Sequence, residues 1–398
     1  MAVADAVIHQ LVEAAESREA AVVELLCDLI RARSVNPPGD EHRPAGVVES
    51  FLQPLGVKPE KHELKPGRTN LIASIGRTGG KRLLVPLHLD TVPAGDSWGE
   101  EAFEPRAEHG LVIGRGSVDD KGPLASTLVA MEMLLSAGHR LCGELVLIAA
   151  ADEECGNAMG MDYLISRGLV RGDWALVPDI GHSMTALDVA EKGVTFIEIE
   201  CRGRAAHGST PRKGVNAILA LAELLAEIEA WEPETRHPLL GRPTASVGQV
   251  SGGSAPNMVA DVATAKIDCR YLPGMTAADV IGQIRELAHR VSDRRPGTTF
   301  ELRTLTEWGP SEVDASSPIV SAVRSLGPRI TGRPVELIGM GGATFCKSCL
   351  AAGVPAVGFA PGSSEAAHTA GESIEIRQLV QFAAFVAALA LDLLGAES

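Results

Sequence analysis

Two apolar runs constrain this chain most: RLLVPLHLD (82–90) and ELVLIAAADEE (144–154) are continuous enough to be buried strands, yet both end in histidine or acidic side chains. A strand covered on both faces reads as an unbroken apolar run rather than an alternation, which suits a parallel sheet between helix layers. Helical patterns at VVELLCDLIRA (22–32) and STLVAMEMLLSAG (126–138), the second closing near Gly138, supply such layers. An open α/β sheet carries its site at the carboxyl edge of its strands. The polar run ends therefore predict chemistry at that edge.

From about Gly193 the pattern changes. VTFIEIECRG (194–203) alternates apolar and polar residues, as a sheet with one solvated face does. Helical patterns at 216–231 and 278–291 and strands at 244–253 and 262–273 complete a small sheet covered by helices on one face. After about residue 305 the apolar runs and glycine punctuation of the first half return. A chain of 398 residues exceeds what one core usually holds. The expected architecture is an α/β catalytic domain (1–191 and 305–398) interrupted by an α+β domain (192–304). The run LVQFAAFVAALALDLLG (379–395) is interrupted by Gln381 and Asp392 and falls short of the roughly 20 residues of a spanning helix, so it reads as a buried C-terminal helix.

Charge narrows the partners. Fifty-one Asp and Glu against 36 Lys and Arg give −15, which repels phosphate backbones and anionic membranes, and 4% aromatics leave no stacking clusters for nucleic acid. Neither a nucleic acid nor a membrane is expected as partner; a small-molecule substrate is. Seven cysteines form no even disulfide framework, and the first twenty residues lack the basic flank and apolar run of a signal peptide. Both point to the cytoplasm.

The acidic and histidine residues at strand ends carry the chemistry. His88 and Asp90 form an H-x-D, Asp119 and Asp120 lie in GRGSVDDKG, Glu153 and Glu154 in ADEECG, Asp179 in WALVPDIG and His368 in EAAHTAGE. Any one of them is explained by the polarity of a strand end or turn. Together they repel one another unless a cation neutralises them, and a metal is the simplest cation. Two histidines with several carboxylates suit two divalent ions, zinc first, with cobalt or manganese as alternatives. In a two-metal hydrolytic site a carboxylate outside the coordination sphere shuttles the proton.

In this order LLVPLHLDTVP, GRGSVDDKG, AADEECG, VPDIG and AHTAGE resemble the motifs of the M20 family of dinuclear zinc aminoacylases and peptidases, over about residues 20 to 390. The family includes acetylornithine deacetylase, succinyl-diaminopimelate desuccinylase and carboxypeptidase G2. The resemblance implies a metallo-exopeptidase-like catalytic domain with an inserted lid or dimerisation domain. It implies that His88, Asp119 and Asp179 bind one metal, that Asp119 bridges to a second held by Glu154 and His368, that Glu153 is the general base and that Asp90 orients His88. GRAAHGSTPRKGVNAI and GGSAPNMVADVATAKIDCRYLPG are similar to its lid segments, implying His207, Asn257 and Arg270 as substrate-facing residues, with Gly342 in the GGATF loop (341–345) bordering the substrate. A homodimer through the inserted domain is implied as well.

Two positions depart from the family pattern: Leu87 stands before His88 in place of Gly, and Phe345 lies near a usual Asp. They leave the metal set untouched and bear on substrate choice. Gly114-Arg115-Gly116 lacks the spacing of a dinucleotide fingerprint, Ser117 and Ser209 lie in no nucleophile elbow, and Cys346 and Cys349 form a CxxC without a second pair, read as buried structural thiols. The expected activity is hydrolysis of an N-acyl amino acid or similar small amide. The alternatives are a dipeptidase or carboxypeptidase G2-like peptidase and another C–N hydrolase, and outside enzymes a silent metal-binding scaffold. Against the scaffold stands Glu153, which such a protein would not need.

Overall fold

The computed structural model describes residues 3–179 and 181–397, which divide into two compact units. Ala190–Glu312 with Gly339–Ala343 forms one, and the remaining described residues form the other.

The larger unit is built on a mixed sheet. Its strands lie in the order Glu60–Glu63, Thr69–Gly76, Glu144–Ala150, Arg82–His88, Trp174–Val177, Ala356–Gly358. The last four of these are parallel, with His88 opposite Ala150, Leu84 opposite Ala175 and Ala356 opposite Ala175. Successive side chains of a strand face opposite ways, and here both faces are covered. Leu83, Val85, Leu87, Leu145 and Leu147 enter one apolar cluster. Leu84, Val146, Ile148 and Ala175 enter another, which also holds Phe345, Cys346 and Cys349. That is why the two runs are apolar without a break.

Helices Asp5–Glu16, Glu19–Arg31, Lys121–Ser136 and Ile376–Leu394 share the first cluster. Ile376–Leu394 is long and apolar enough to cross a membrane, yet 72% of its most apolar stretch is buried inside the unit. Its Phe385 packs 4.7 Å from the Phe359 ring and 5.9 Å from Phe382, centroid to centroid. It is a core helix.

The smaller unit has a four-stranded antiparallel sheet in the order Thr244–Gly252, Val262–Tyr271, Gly193–Arg202, Thr299–Trp308. Ile197, Ile199 and Cys201 face helices Ala217–Glu229 and Ala277–Arg294 through Leu221, Leu224, Ile284 and Leu287. Thr276 starts the second helix with a reciprocal capping box to Asp279. The strand Thr299–Trp308, which the sequence pattern does not announce, is a mostly exposed edge strand and carries this unit past residue 305, where the pattern of apolar runs places the return.

The buried aromatic cluster sets a test of the core. Truncating Phe385, which is fully buried, removes a ring from three packed phenylalanines. Phe385→Ala should cost about 3–5 kcal/mol of stability, measured by chemical denaturation, while the far-UV circular dichroism stays helical.

Candidate metal centre

The parallel strands bring their carboxyl ends to one edge. Because His88 sits opposite Ala150, the turn that follows Ala150 carries Glu153 and Glu154 to the level of His88. Asp179 follows the neighbouring strand Trp174–Val177 by two residues. Asp119 and Asp120 come from the loop just before helix Lys121–Ser136.

Two groups of donor atoms result, His88 with Asp119 and Asp179, and Asp119 with Glu154 and His368, the atoms of each lying within 4.8 Å of one another. Asp119 belongs to both. Its Oδ1 is 2.6 Å from His88 Nε2 and its Oδ2 is 2.9 Å from His368 Nε2, while His368 Nε2 is also 3.2 Å from Glu154 Oε1. One carboxylate thus presents one oxygen to each group. Mixed imidazole and carboxylate donors in two adjoining sets fit two divalent ions.

The protonation preferences show how strongly this cluster wants positive charge. Burial works against a charged His88, but Asp119 together with Asp90 and Asp120 outweighs it and raises the imidazole well above its ordinary range. Hydrogen bonds to Asp119 and Glu154 hold His368 at about 10. Burial would raise Asp119, yet the two imidazoles hold it far below the usual carboxylate range. The preference of the histidines for a proton marks a place that favours a cation. Glu153 goes the other way: burial, then the negative charges of Asp179, Glu154 and Asp119, push its carboxyl well above the usual range against the pull of His88. Asp120 is raised too, by burial first and then by Asp179 and Asp119; its Oδ2 accepts from His88 N at 3.1 Å, and its Oδ1 has no hydrogen-bond partner among the described residues.

Surrounding groups hold the donors in place. Asp90 is fully buried, with its backbone oxygen 2.9 Å from His88 Nδ1 and its Oδ1 at 3.6 Å, so it adjoins the ring edge opposite Asp119. Orientation of a ligating imidazole through its second nitrogen is a recurrent device. Glu372 accepts from Arg115 Nη1 at 2.6 Å and from the backbone N–H groups of Gly116, Val118 and Asp119 at 3.1, 2.8 and 3.2 Å. It ties the His368 segment to the loop that carries Asp119. Lys121, also fully buried, is pushed down to about 7 by burial against the pull of Asp90 and Glu372, and its Nζ donates to Leu29 O and Ala32 O at 2.9 and 3.2 Å. Phe345 packs edge-on to His88 with ring centroids 6.4 Å apart, so this departure from the family pattern lies beside a donor.

The other residues singled out by sequence lie in the smaller unit. His207 is exposed, with Nδ1 2.8 Å from Ser209 Oγ, and Gly208 N donates to Asn257 O at 2.7 Å. Arg270 is already engaged: Nε and Nη2 donate to the two oxygens of Asp268 at 2.7 and 2.8 Å, and Nη1 donates to Gly341 O at 2.9 Å. Gly342 lies beside the Met340 side chain. Sequence reasoning missed Asn36, Glu41 and Arg68 around the centre; the other partners, Arg115, Asp152 and Glu372, stand inside the motifs GRGSVDDKG, ADEECG and AHTAGE without a role being read from them.

Comparison with known proteins places the chain in a family. Residues 84–392 match the model of peptidase family M20/M25/M40. The chain belongs to that family and is a metal-dependent hydrolase. An uncharacterized metallohydrolase of Methanocaldococcus jannaschii is 28% identical over 91% of this chain and 96% of its own. The N-formyl-4-amino-5-aminomethyl-2-methylpyrimidine deformylase of Bacillus subtilis is 26% identical over 95% and 96%. The acetylornithine deacetylase of Pectobacterium carotovorum is 30% identical over 84% and 87%. Among solved structures, aminopeptidase PepT of Bacillus cereus superposes with a TM-score of 0.80 at 22% identity, covering 94% of this chain and 98% of that one. A Bacillus subtilis protein described as a dinuclear metal-binding peptidase of the family gives 0.74 at 16% identity, covering 96% and 100%. These two establish the shared fold.

The brace at Glu372 is directly testable. Glu372→Gln uncouples a buried ion pair with Arg115 and should cost about 3–5 kcal/mol, read from denaturant unfolding. Metal retention during dialysis should fall with it.

Proposed function

We propose that this chain is a dinuclear metal-dependent amidohydrolase that removes a small acyl group from the nitrogen of an amino acid or similar amine. The observation that carries it is the pair of donor groups sharing Asp119, with Glu153 beside them and outside both. His88, Asp119 and Asp179 would hold one ion, and Asp119, Glu154 and His368 the other. Bound divalent ions at such a centre acidify water and polarise an amide carbonyl.

The chain's own residues do the rest. Glu153 takes a proton from the attacking water and returns it to the leaving nitrogen, and its raised carboxyl pKa suits a group that must both accept and give. Asp90 keeps His88 aligned. His207 donates to the developing oxyanion, and Arg270 and Asn257 grip a substrate carboxylate, with Gly342 at the border of the substrate. The Asp268 carboxylate that now occupies the Arg270 fork would share it with that substrate group. Deacylation is favoured over peptide hydrolysis because two relatives matched over most of their length are named for removing formyl and acetyl groups. Zinc is the expected metal, with cobalt or manganese as substitutes.

Loss of the shared donor and loss of the base should part company. Asp119→Ala should empty or scramble the site, whereas Glu153→Ala should retain both metals and lose turnover by several orders of magnitude. Metal analysis by plasma emission, with amine release from a panel of N-formyl and N-acetyl amino acids and dipeptides, reads both. Full metal content and activity in Asp119→Ala would end the dinuclear reading, and dipeptides outrunning every acyl substrate would favour the peptidase.

A homodimer through the smaller unit is the second part of the reading. Its edge strand Thr244–Gly252 leaves Val250 60% exposed, and Ile218 and Leu219 on the helix Ala217–Glu229 are 40% and 53% exposed. An unpaired edge beside apolar side chains is a pairing surface. If His207 serves the partner's site, mixing inactive Glu153→Ala and His207→Ala subunits should restore about a quarter of wild-type activity, since about half the dimers are mixed and each carries one complete site. No recovery, with exchange confirmed by native mass spectrometry, rules out the trans arrangement.

A further inference from the structure

Three consecutive backbone N–H groups at the turn bearing Glu153 and Glu154 are held by buried carboxylates. Asp152 N donates to Glu41 Oε1 at 3.3 Å, Glu153 N to Asp90 Oδ1 at 3.1 Å and Glu154 N to Asp90 Oδ2 at 3.2 Å. The carboxylates are themselves joined. Asn36 Nδ2 donates to Asp90 Oδ2 at 2.8 Å and to Asp152 Oδ1 at 3.1 Å.

Asp90, Asp152 and Glu41 are all buried, and three negative charges behind an already acidic centre would drive one another apart. Arg68 hydrogen-bonds two of them. Arg68 Nε and Nη2 donate to the two oxygens of Glu41, each at 2.7 Å, and Nη2 donates again to Asp152 Oδ1 at 2.9 Å. Room for the fork comes from Gly39, where a Cβ would stand 2.3 Å from Arg68 Nε. A planar fork that serves two carboxylates at once is something arginine supplies and lysine does not. The remaining Asp152 oxygen, Oδ2, accepts from Met159 N at 3.1 Å and so closes the turn from its far side.

We propose that Arg68 is a positioning residue for Glu153 and Glu154, acting through Glu41 and Asp152 to fix the backbone of the turn that presents both carboxylates to the metal centre. This rests on the reading of Glu153 as base and Glu154 as metal ligand. Arg68 touches neither side chain in a hydrogen bond; its effect runs through the turn. Residues of this kind around metal centres typically cost 10–100-fold in activity or metal affinity when lost.

Asp152→Asn is the decisive variant, because asparagine tolerates the same backbone conformation and fills the same volume while giving up the charge that pairs with Arg68 and one of the two acceptor oxygens. Arg68→Met and Arg68→Lys accompany it. All are loaded with cobalt and assayed on the N-acyl amino acid that wild type hydrolyses fastest. Asp152→Asn should melt cooperatively and bind two cobalt ions per chain, with an altered visible cobalt spectrum. Its kcat should drop about 10–100-fold and its KM change less than twofold. Arg68→Lys, which keeps the charge but not the fork, should recover only part of the kcat lost in Arg68→Met.

Wild-type kcat and an unaltered spectrum in Asp152→Asn would overturn the proposal. So would full recovery in Arg68→Lys, since charge alone would then suffice. If Arg68→Met does not fold, Asp152→Asn decides alone. A Glu153→Ala control separates the two levels: full turnover in it removes the base assignment, while the cobalt spectrum of Asp152→Asn still reports whether the turn positions Glu154.

Discussion

Carboxylate repulsion at one sheet edge is the constraint around which this protein is arranged. The parallel register that sets His88 beside Ala150 delivers Asp90, Asp119, Asp120, Glu153, Glu154 and Asp179 to a single neighbourhood. In water such groups would separate or protonate. Here the sheet forbids separation, so the cluster draws protons onto His88, His368 and Glu153. Positive charge from outside the chain would relieve this repulsion, and the two donor groups sharing Asp119 could hold it.

Much of the remaining structure manages the same stress at a distance. Glu372 adds another negative charge near Asp119, offset by buried Arg115 and by three backbone N–H groups. Glu41 and Asp152 add two more, offset by Arg68. Lys121 stands buried within the reach of Asp90 and Glu372, its Nζ donating to backbone carbonyls. Buried ion pairs such as those of Arg115 and Arg68 seldom add much net stability, but losing one partner is costly. What they fix is geometry.

The sequence made some of this legible and hid the rest for physical reasons. The central strands and the helix Ile376–Leu394 were readable because burial on all sides demands unbroken apolar runs; His88, Glu154 and Asp179 were readable because they follow such runs, whereas Asp119 and His368 stood out only within motifs similar to the family's. The strand Thr299–Trp308 was not, since an edge strand with few buried positions carries little apolar signal. Asn36, Glu41 and Arg68 were hidden because they lie far along the chain from the residues they hold, and nothing in one sequence says that Arg68 meets Asp152. Glu372 was visible as a letter in AHTAGE, but only the fold shows its carboxylate facing the Gly116–Asp119 backbone.

The left-handed backbone of Asp152, with φ of 68°, has a consequence for anyone transplanting this centre. Neighbours along an extended strand point to opposite faces, so a strand that simply continued would send Glu153 and Glu154 away from each other. By breaking the alternation at Asp152 and winding Glu153–Cys155 into a short 3₁₀ turn, the chain lets two adjacent letters face one cluster. Adjacency in sequence thereby becomes adjacency in space, and a graft of His88, Asp119, Glu153 and Glu154 onto another parallel sheet would have to carry this change of handedness with them.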